Sequence, residues 1–548
     1  MKTESPARFS LTKCHVLALL APFIVSCAGS TRNATVINPS DLVKGNYVIS
    51  APGDYRLGGD VVVSGIAAGA PVIRIAADNV TLDLNRHSIS MAPSVSSSRN
   101  TGIEINGVSN VTVTNGSLNE LSGAGIYLVC DVDPAARRCS NFTFSQLDMR
   151  NVGKSGEYGD LGNIFNRPFS GGIVAFGRST AVPAVGGNWE NSIVGVLVSK
   201  VTVRNDKTIK HLFAGSPPAG GQNGVTFTSV SNLRVEDSAV SGMTSNDAGA
   251  CLFLGRTKSV VVRRFDCKDA TGDRNANGLD SMANVASPLA IKKNYDVLVE
   301  DSTFANILAT GPRANEALGV ELNGEKFTFN NLTVSDVKND NTNVEGTRAI
   351  GIRIDYNEPS DEISRVSNCT VKNVTQYGRN PDTRAGGISI QRAPPVVVSR
   401  CAVSNIANLS TSSTSIKAFG FRADSGTRKM IFEDNSSDGV TAPAATKSAK
   451  AIPGYVAGFA LVNARADMSR NRSTNAHVGL FVSKLSTDFG INGNRFECNA
   501  TGVVDAGTGR VYSKNMLVGN AASSVPAGLL DGTDNVITAA RGNACGNN

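Results

Sequence analysis

The sequence predicts an all-β solenoid, a long coil of short strands stacked in parallel, on three observations. Alternating apolar strands led by Gly recur along most of the chain, residues suited to strands and tight turns surround them, and the large side chains of ordinary cores are scarce. Of 548 residues only 6% are aromatic, one is Trp, 18% are charged and 55 are Gly, against 20 Pro. β-Branched residues suit a pleated surface, and so few aromatic anchors disfavour a string of globular domains. Gly does not recur at every third position, which excludes collagen. A net charge of +7 with no dense Lys/Arg block leaves no nucleic-acid footprint, though a mildly basic surface attracts acidic polymers.

The first element, residues 1–27, is an export signal. Lys2, Arg8 and Lys13 precede the apolar run from Val16 to Val25, too short to remain as a membrane span. The run ends Ile24-Val25-Ser26-Cys27-Ala28, which resembles a bacterial lipobox. That resemblance implies cleavage before Cys27, lipidation of its thiol and, with Ala28 in place of Asp, an outer-membrane lipoprotein that is anchored but does not cross. Residues 28–49 follow as a linker or cap.

The repeat begins at about residue 50. Its first strand reads "GIEIN" from Gly102, "GIYLV" from Gly125, "GVELN" from Gly319, "GIRID" from Gly351, "GISIQ" from Gly387, "GFRAD" from Gly420 and "GLFVS" from Gly479. A second alternating strand, an Asx or Ser turn and a third short strand complete each unit, as in "KFTFNNLTVSDV" from Lys326. The closest units start 21 and 23 residues apart, too close for crossover helices. A coil satisfies this pattern: each strand pairs in parallel with its copy one turn on, around a narrow interior filled by aliphatic stacks. About 13 or 14 coils are expected over 50–535, with a tail at 536–548. Two segments, 129–170 and 177–221, are read as loop insertions; the second holds the only Trp, Trp189, a candidate platform for a sugar ring.

The opening coils, "PGDYRLGGDVVVSG" and "VIRIAADNVTLDLNRHSI", resemble right-handed parallel β-helix repeat proteins of the pectate-lyase-like superfamily, over roughly residues 50–535. The resemblance implies a right-handed parallel β-helix and leaves activity open, because this scaffold carries lyases, hydrolases, epimerases, adhesins and phage spikes. Eight cysteines follow the signal: Cys130, Cys139, Cys251, Cys267, Cys369, Cys401, Cys498 and Cys545. An even count in an exported chain suggests disulfides, with Cys130 and Cys139 closing a small loop. The β-helix reading stacks Cys369 and Cys401 in adjacent coils, about 4.8 Å apart and within disulfide reach.

Alternation along each strand gives two outward columns. The first runs through Leu252, Asp280, Glu321, Arg353, Ser389 and Arg422, the second through Leu254, Met282, Asn323, Asp355, Gln391 and Asp424. Both are polar in the middle coils and dull at the ends. Asp355, Asp424, Arg353, Arg422 and Glu321 are therefore the catalytic candidates, with Asp280, Asn323, Gln391, Arg392, Lys484 and Trp189 as substrate contacts. A hydrolase would use two of the carboxylates as acid and base or nucleophile. A lyase would need a base and a guanidinium to neutralise a uronate, with Lys484 as base and calcium as a possible cofactor held by carboxylate oxygens. No metal site is assigned from the sequence itself.

The polygalacturonase motifs, Asn-Thr-Asp, Asp-Asp and Gly-His-Gly, are absent. Of the pectate-lyase Arg-x-Pro-x-x-Arg signature, Arg392-Ala393-Pro394 is kept and Val397 replaces the second Arg. The expected partner is an acidic polysaccharide, cleaved by a lyase or glycosidase. The alternative is a non-catalytic surface adhesin whose stacked charges merely neutralise one another on a solvated sheet.

Overall fold

The computed structural model describes residues 34–93, 100–135, 137–153, 170–179, 190–205, 222–245, 248–281, 294–311, 314–340, 348–355, 361–378, 382–392, 395–410, 415–424, 429–442, 454–520 and 534–538. The export segment with Cys27, and Trp189, Met282 and Cys545, lie outside them.

The described residues from Ala34 to Thr538 form a right-handed parallel β-helix in one unit. Among the described residues one sheet of 15 strands takes one strand from each coil, from Tyr47–Ile49 to Thr501–Asp505; a second, of 28 strands, carries the rest of each turn. Two coils precede the first Gly-led strand, through Tyr47–Ile49 and Ile73–Ile75. The coil therefore starts inside the segment read as a cap, where a one-turn helix, Pro39–Leu42, buries Leu42. At the far end it continues to Val536–Thr538, paired with Met516–Val518.

The segments read as insertions also carry coil strands, Cys139–Arg150 and Ile193–Arg204, paired in register with each other. Each is a bent strand covering two sides of a turn, with its corner at Gln146 or Lys200 in the left-handed region, φ 55° and 56°. Later coils break at the same corner, at Asn331, Asn368, Arg400, Asp434 and Arg470, all with φ between 52° and 56°. Short Asx side chains tolerate this geometry at least cost.

The residue after the corner points inward and builds a ladder. Asn435 donates from Nδ2 to Asn471 Oδ1 at 2.9 Å, Asn471 to Asn494 at 2.9 Å, Asn494 to Asn515 at 3.1 Å and Asn515 to Asn535 at 3.1 Å. Each of the first four also donates to a backbone carbonyl, as Asn435 does to Val398 at 2.9 Å and Asn471 to Phe432 at 2.8 Å. Cys401 and Cys369 occupy this ladder one and two coils earlier. They are buried and free, which corrects the expected disulfide. The stacking is as read, but the ladder position turns each thiol to a carbonyl: Cys369 to Ser367 at 3.2 Å, Cys401 to Ser399 at 3.4 Å, with the Cys369 N–H donating to Cys401 Sγ at 3.4 Å. Contact with the Cys369 side chain, and then burial, push the Cys401 thiol up. Disulfides join Cys130 to Cys139 and Cys251 to Cys267, and Cys498 is disulfide-bonded.

The interior is aliphatic with Phe ladders added: the largest fully buried side chains are all Phe, among them Phe421 stacked on Phe459 at 4.8 Å. The repeated Gly marks a close approach between the two sheets. A Cβ on Gly351 would run into Val371 Cγ1 and sit 2.9 Å from the Gly387 carbonyl oxygen.

Candidate active site

Six consecutive strands of the 15-stranded sheet carry the polar cluster: Asn275–Asp280, Glu316–Leu322, Arg348–Asp355, Asp382–Gln391, Ser415–Asp424 and Tyr455–Val462. Register puts Glu321 against Arg353, Arg353 against Ser389 and Ser389 against Arg422, with Asp355, Gln391 and Asp424 alongside. Leu279 pairs with Val320, so Asp280 faces Glu321. One coil earlier the columns pass through Phe253 and Gly255, one residue beyond Leu252 and Leu254. There Cys251 takes the place of the leading Gly and displaces the count.

A third column was available in the sequence and is the one that reading missed. Three residues before each Gly stand Glu316, Arg348, Arg384, Lys417 and Tyr455, stacked in register.

Arg353 is the hub of the N-terminal half of this face. Its Nη1 donates to Glu321 Oε1 at 2.9 Å and to Glu316 Oε2 at 3.3 Å, and its Nη2 donates to Asp355 Oδ2 at 2.7 Å. Arg348 takes the other Glu316 oxygen at 2.9 Å, and Arg392 the other Asp355 oxygen at 3.1 Å. The face is not the solvated ladder of the adhesin alternative: Arg353 is 8% exposed, Asp355 and Asp280 5%, Arg422 3%. Burial raises the Asp280 carboxyl to about 6, the Asn277 amide opposing it and the Glu316 charge adding to it. Burial likewise raises Glu321 to about 8; Arg353 works against the shift, and Asp280 and Glu316 reinforce it. For Arg353 burial works to lower the pKa, and Glu321, Glu316 and Asp355 outweigh it, so the guanidinium is held above its ordinary value.

The C-terminal half is more cationic. Arg422 pairs with Asp424, while Asp382 takes both Arg384 at 2.8 Å and Lys417 at 2.6 Å. Buried polar atoms without a hydrogen-bond partner run along the face: Asn275 Oδ1, Asn277 Oδ1 and Asp280 Oδ1 at one end, Arg348 Nε and Arg353 Nε between, and Arg422 Nε and Nη1 with the Tyr455 hydroxyl at the other.

The remaining expected contacts separate. Gln391 lies on the face and donates to Ser389 at 3.3 Å. Asn323 is turned into the coil, its N–H and Nδ2 donating to Ser281 Oγ at 2.6 Å and Ser281 O at 2.7 Å, so it is a corner residue and not a substrate contact. Lys484 is exposed in the turn after Val478–Val482, off the face.

Calcium would need several converging oxygens. Arg353 takes the Glu316, Glu321 and Asp355 carboxylates, and no group of three or more His, Cys, Asp or Glu side chains that could hold a metal ion occurs among the described residues. The face does not fit the ion. A groove of about 580 Å³ lies on another side, over Thr271, Lys338 and Thr375; its polar groups bond one another, Asn306 to Asp269 at 3.1 Å and Asn373 to Asp336 at 2.8 Å.

No protein-family model matches the chain, nor does any curated protein. Among solved structures it is similar to a tailspike protein of E. coli bacteriophage HK620 in complex with a pentasaccharide, at 10% identity over 84% of this chain and 74% of that one, TM-score 0.46. It is also similar to the periplasmic alginate epimerase AlgG, at 11% identity over 92% and 83%, TM-score 0.34. A third is an endo-xylogalacturonan hydrolase from Aspergillus tubingensis, at 11% identity over 81% and 90%, TM-score 0.29.

Proposed function

We propose that the chain is an exported enzyme that hydrolyses a glycosidic bond in an acidic polysaccharide, with Glu321 as general acid and Asp280 as its carboxylate partner. The observation that carries this reading is the stacking of these two carboxyls in neighbouring coils, on a buried face organised by Arg353. Glycoside hydrolysis needs one carboxyl protonated and one ionised at the same pH. Carboxyls raised to about 8 and about 6 meet that need between those values.

Asp355 and Asp424, the other catalytic candidates, are tied to Arg353 and Arg422 and serve in this reading to position them. A lyase is the poorer fit at this pair, because both terminal nitrogens of Arg353 are already engaged by carboxylates, and Arg422, which keeps unpartnered donors, lies three coils away from Glu321, too far to neutralise a uronate at the bond that is cut. In the same reading residues 1–27 direct export and Cys27 carries the lipid anchor.

A panel of polyuronates, followed both by reducing-end release and by the absorbance of unsaturated products, tests the proposal. Reducing ends without unsaturation are expected, with kcat in Glu321→Gln lowered at least about a hundredfold. Unsaturated products would overturn hydrolysis in favour of elimination. Silence in both assays would favour the adhesin.

A further inference from the structure

The C-terminal half of the face contains groups that the acid pair does not use. Arg422 is 3% exposed and gives Nη2 to Asp424, which leaves Nε and Nη1 buried without a hydrogen-bond partner. The Tyr455 hydroxyl, on a residue 7% exposed, is unpartnered too. The two are electrostatically coupled: burial pushes the Tyr455 phenol up to about 12 while Arg422 pulls against that rise. Phe419 walls the site, its ring centroid 5.6 Å from the guanidinium carbon and 6.3 Å from the Tyr455 ring, and Tyr455 stacks on Phe481 at 5.0 Å. Buried donors left unsatisfied are costly, more so when charged, and three of them beside an aromatic wall match an anionic substituent on a sugar whose C–H face can lie against a ring.

We propose that Arg422 and Tyr455, walled by Phe419, form a subsite for a saccharide oxyanion, a uronate carboxylate or a sulfate ester, which sets the direction of the substrate along the coil. The inference rests on the reading of this face as a saccharide site. Arg422 is three coils from Glu321 by register, about 14 Å at the usual strand spacing, so the bound charge lies away from the bond that is cut. Tyr455 stacks in register on Lys417, which follows Arg384 and Arg348 in the same column. Arg384 and Lys417 keep 24% and 21% of their side chains exposed, and this cationic stripe is the approach from solvent. Arg353 and Arg422 therefore divide the work: one holds the acid pair, the other reads charge.

Calorimetric titration of the full chain with three probes tests the subsite: an oligogalacturonate, its carboxyl-reduced neutral form, and a sulfated galactan oligosaccharide. The two acidic probes compete for one subsite, and the tighter of them identifies the anion. Tyr455→Phe, which keeps the ring, should weaken the acidic probe about tenfold, and Arg422→Gln should abolish the preference for acid over neutral. Glu321→Gln should bind the acidic probe as the wild type does while failing to cleave it. Equal binding of acidic and neutral probes, unchanged binding in Tyr455→Phe, or no binding of any probe would overturn the subsite. Acid-selective binding without cleavage by the wild type would instead overturn the hydrolase and leave the subsite standing; cleavage without charge selection would do the reverse.

Discussion

Arg353 gathers Glu316, Glu321 and Asp355 from its own strand and the one before, and it is the residue whose loss the face can least absorb. Removing one partner of a buried ionic cluster leaves uncompensated charge and costs about 3–5 kcal/mol. Arg353→Met is expected to lose that much in denaturant unfolding at pH 8, and less at pH 5, where Glu321 holds its proton.

Glu321 gives the opposite sign. Its folded pKa is raised from 4.5 to about 8, so the folded state binds the extra proton across that window and stability falls as pH rises through it. Glu321→Gln removes this group's contribution, and the Tm of the variant should vary less between pH 5 and 8 than that of the wild type. In catalysis the pair should give a bell-shaped kcat profile. The acid limb lies near 6, where Asp280 gains its proton, and the basic limb near 8, where Glu321 loses its own. Much of this site is legible in the sequence, because a period of two from a leading Gly fixes which residues share a face. Glu316, Arg348, Lys417 and Tyr455 obey the same rule, three places before the Gly. Burial is not legible: a period of two shows which residues share a face, and not how far that face is covered.

At the scale of the element, the corner ladder explains why Asn recurs where it does. One amide donates to a carbonyl and to the next Oδ1, and it accepts from the N–H of the coil before, as Asn471 accepts from Asn435 N at 3.0 Å. Asn471→Ala should cost about 3 kcal/mol by orphaning several buried groups, measured by denaturant unfolding. Cys401 sits where the ladder would continue, its thiol 3.7 Å from the Val366 carbonyl and its N–H donating to Asn435 Oδ1 at 3.0 Å. Cys401→Asn should therefore extend the ladder and raise Tm, whereas a lower Tm would show that the sulfur fills its place by packing. The stacking of Cys369 on Cys401 follows from the repeat. Which atom each thiol faces does not, since it depends on a carbonyl two residues back.

At the scale of the whole unit, length counts coils. The Gly-led strands give most of them, but the first two coils, through Tyr47–Ile49 and Ile73–Ile75, lack that Gly, and the strands Cys139–Arg150 and Ile193–Arg204 are spaced more widely in the sequence than the repeat. Since each coil touches mainly its neighbours, protection should follow position. Amide hydrogen exchange is expected to be slowest around Gly319, Gly351 and Gly387 and fastest in the end coils; equal protection throughout would mean that the unit opens as one.

The corner ladder also has a mechanical side. Its bonds, like those between the strands, run along the axis of the coil from one turn to the next. A pull on the two ends loads them in series, so the weakest interface between turns sets the yield point and the chain should peel away turn by turn. Chain held by lipid at one end and by a polymer at the other would feel such tension, and the run of side-chain amides from Asn435 to Asn535 reinforces the C-terminal turns against it.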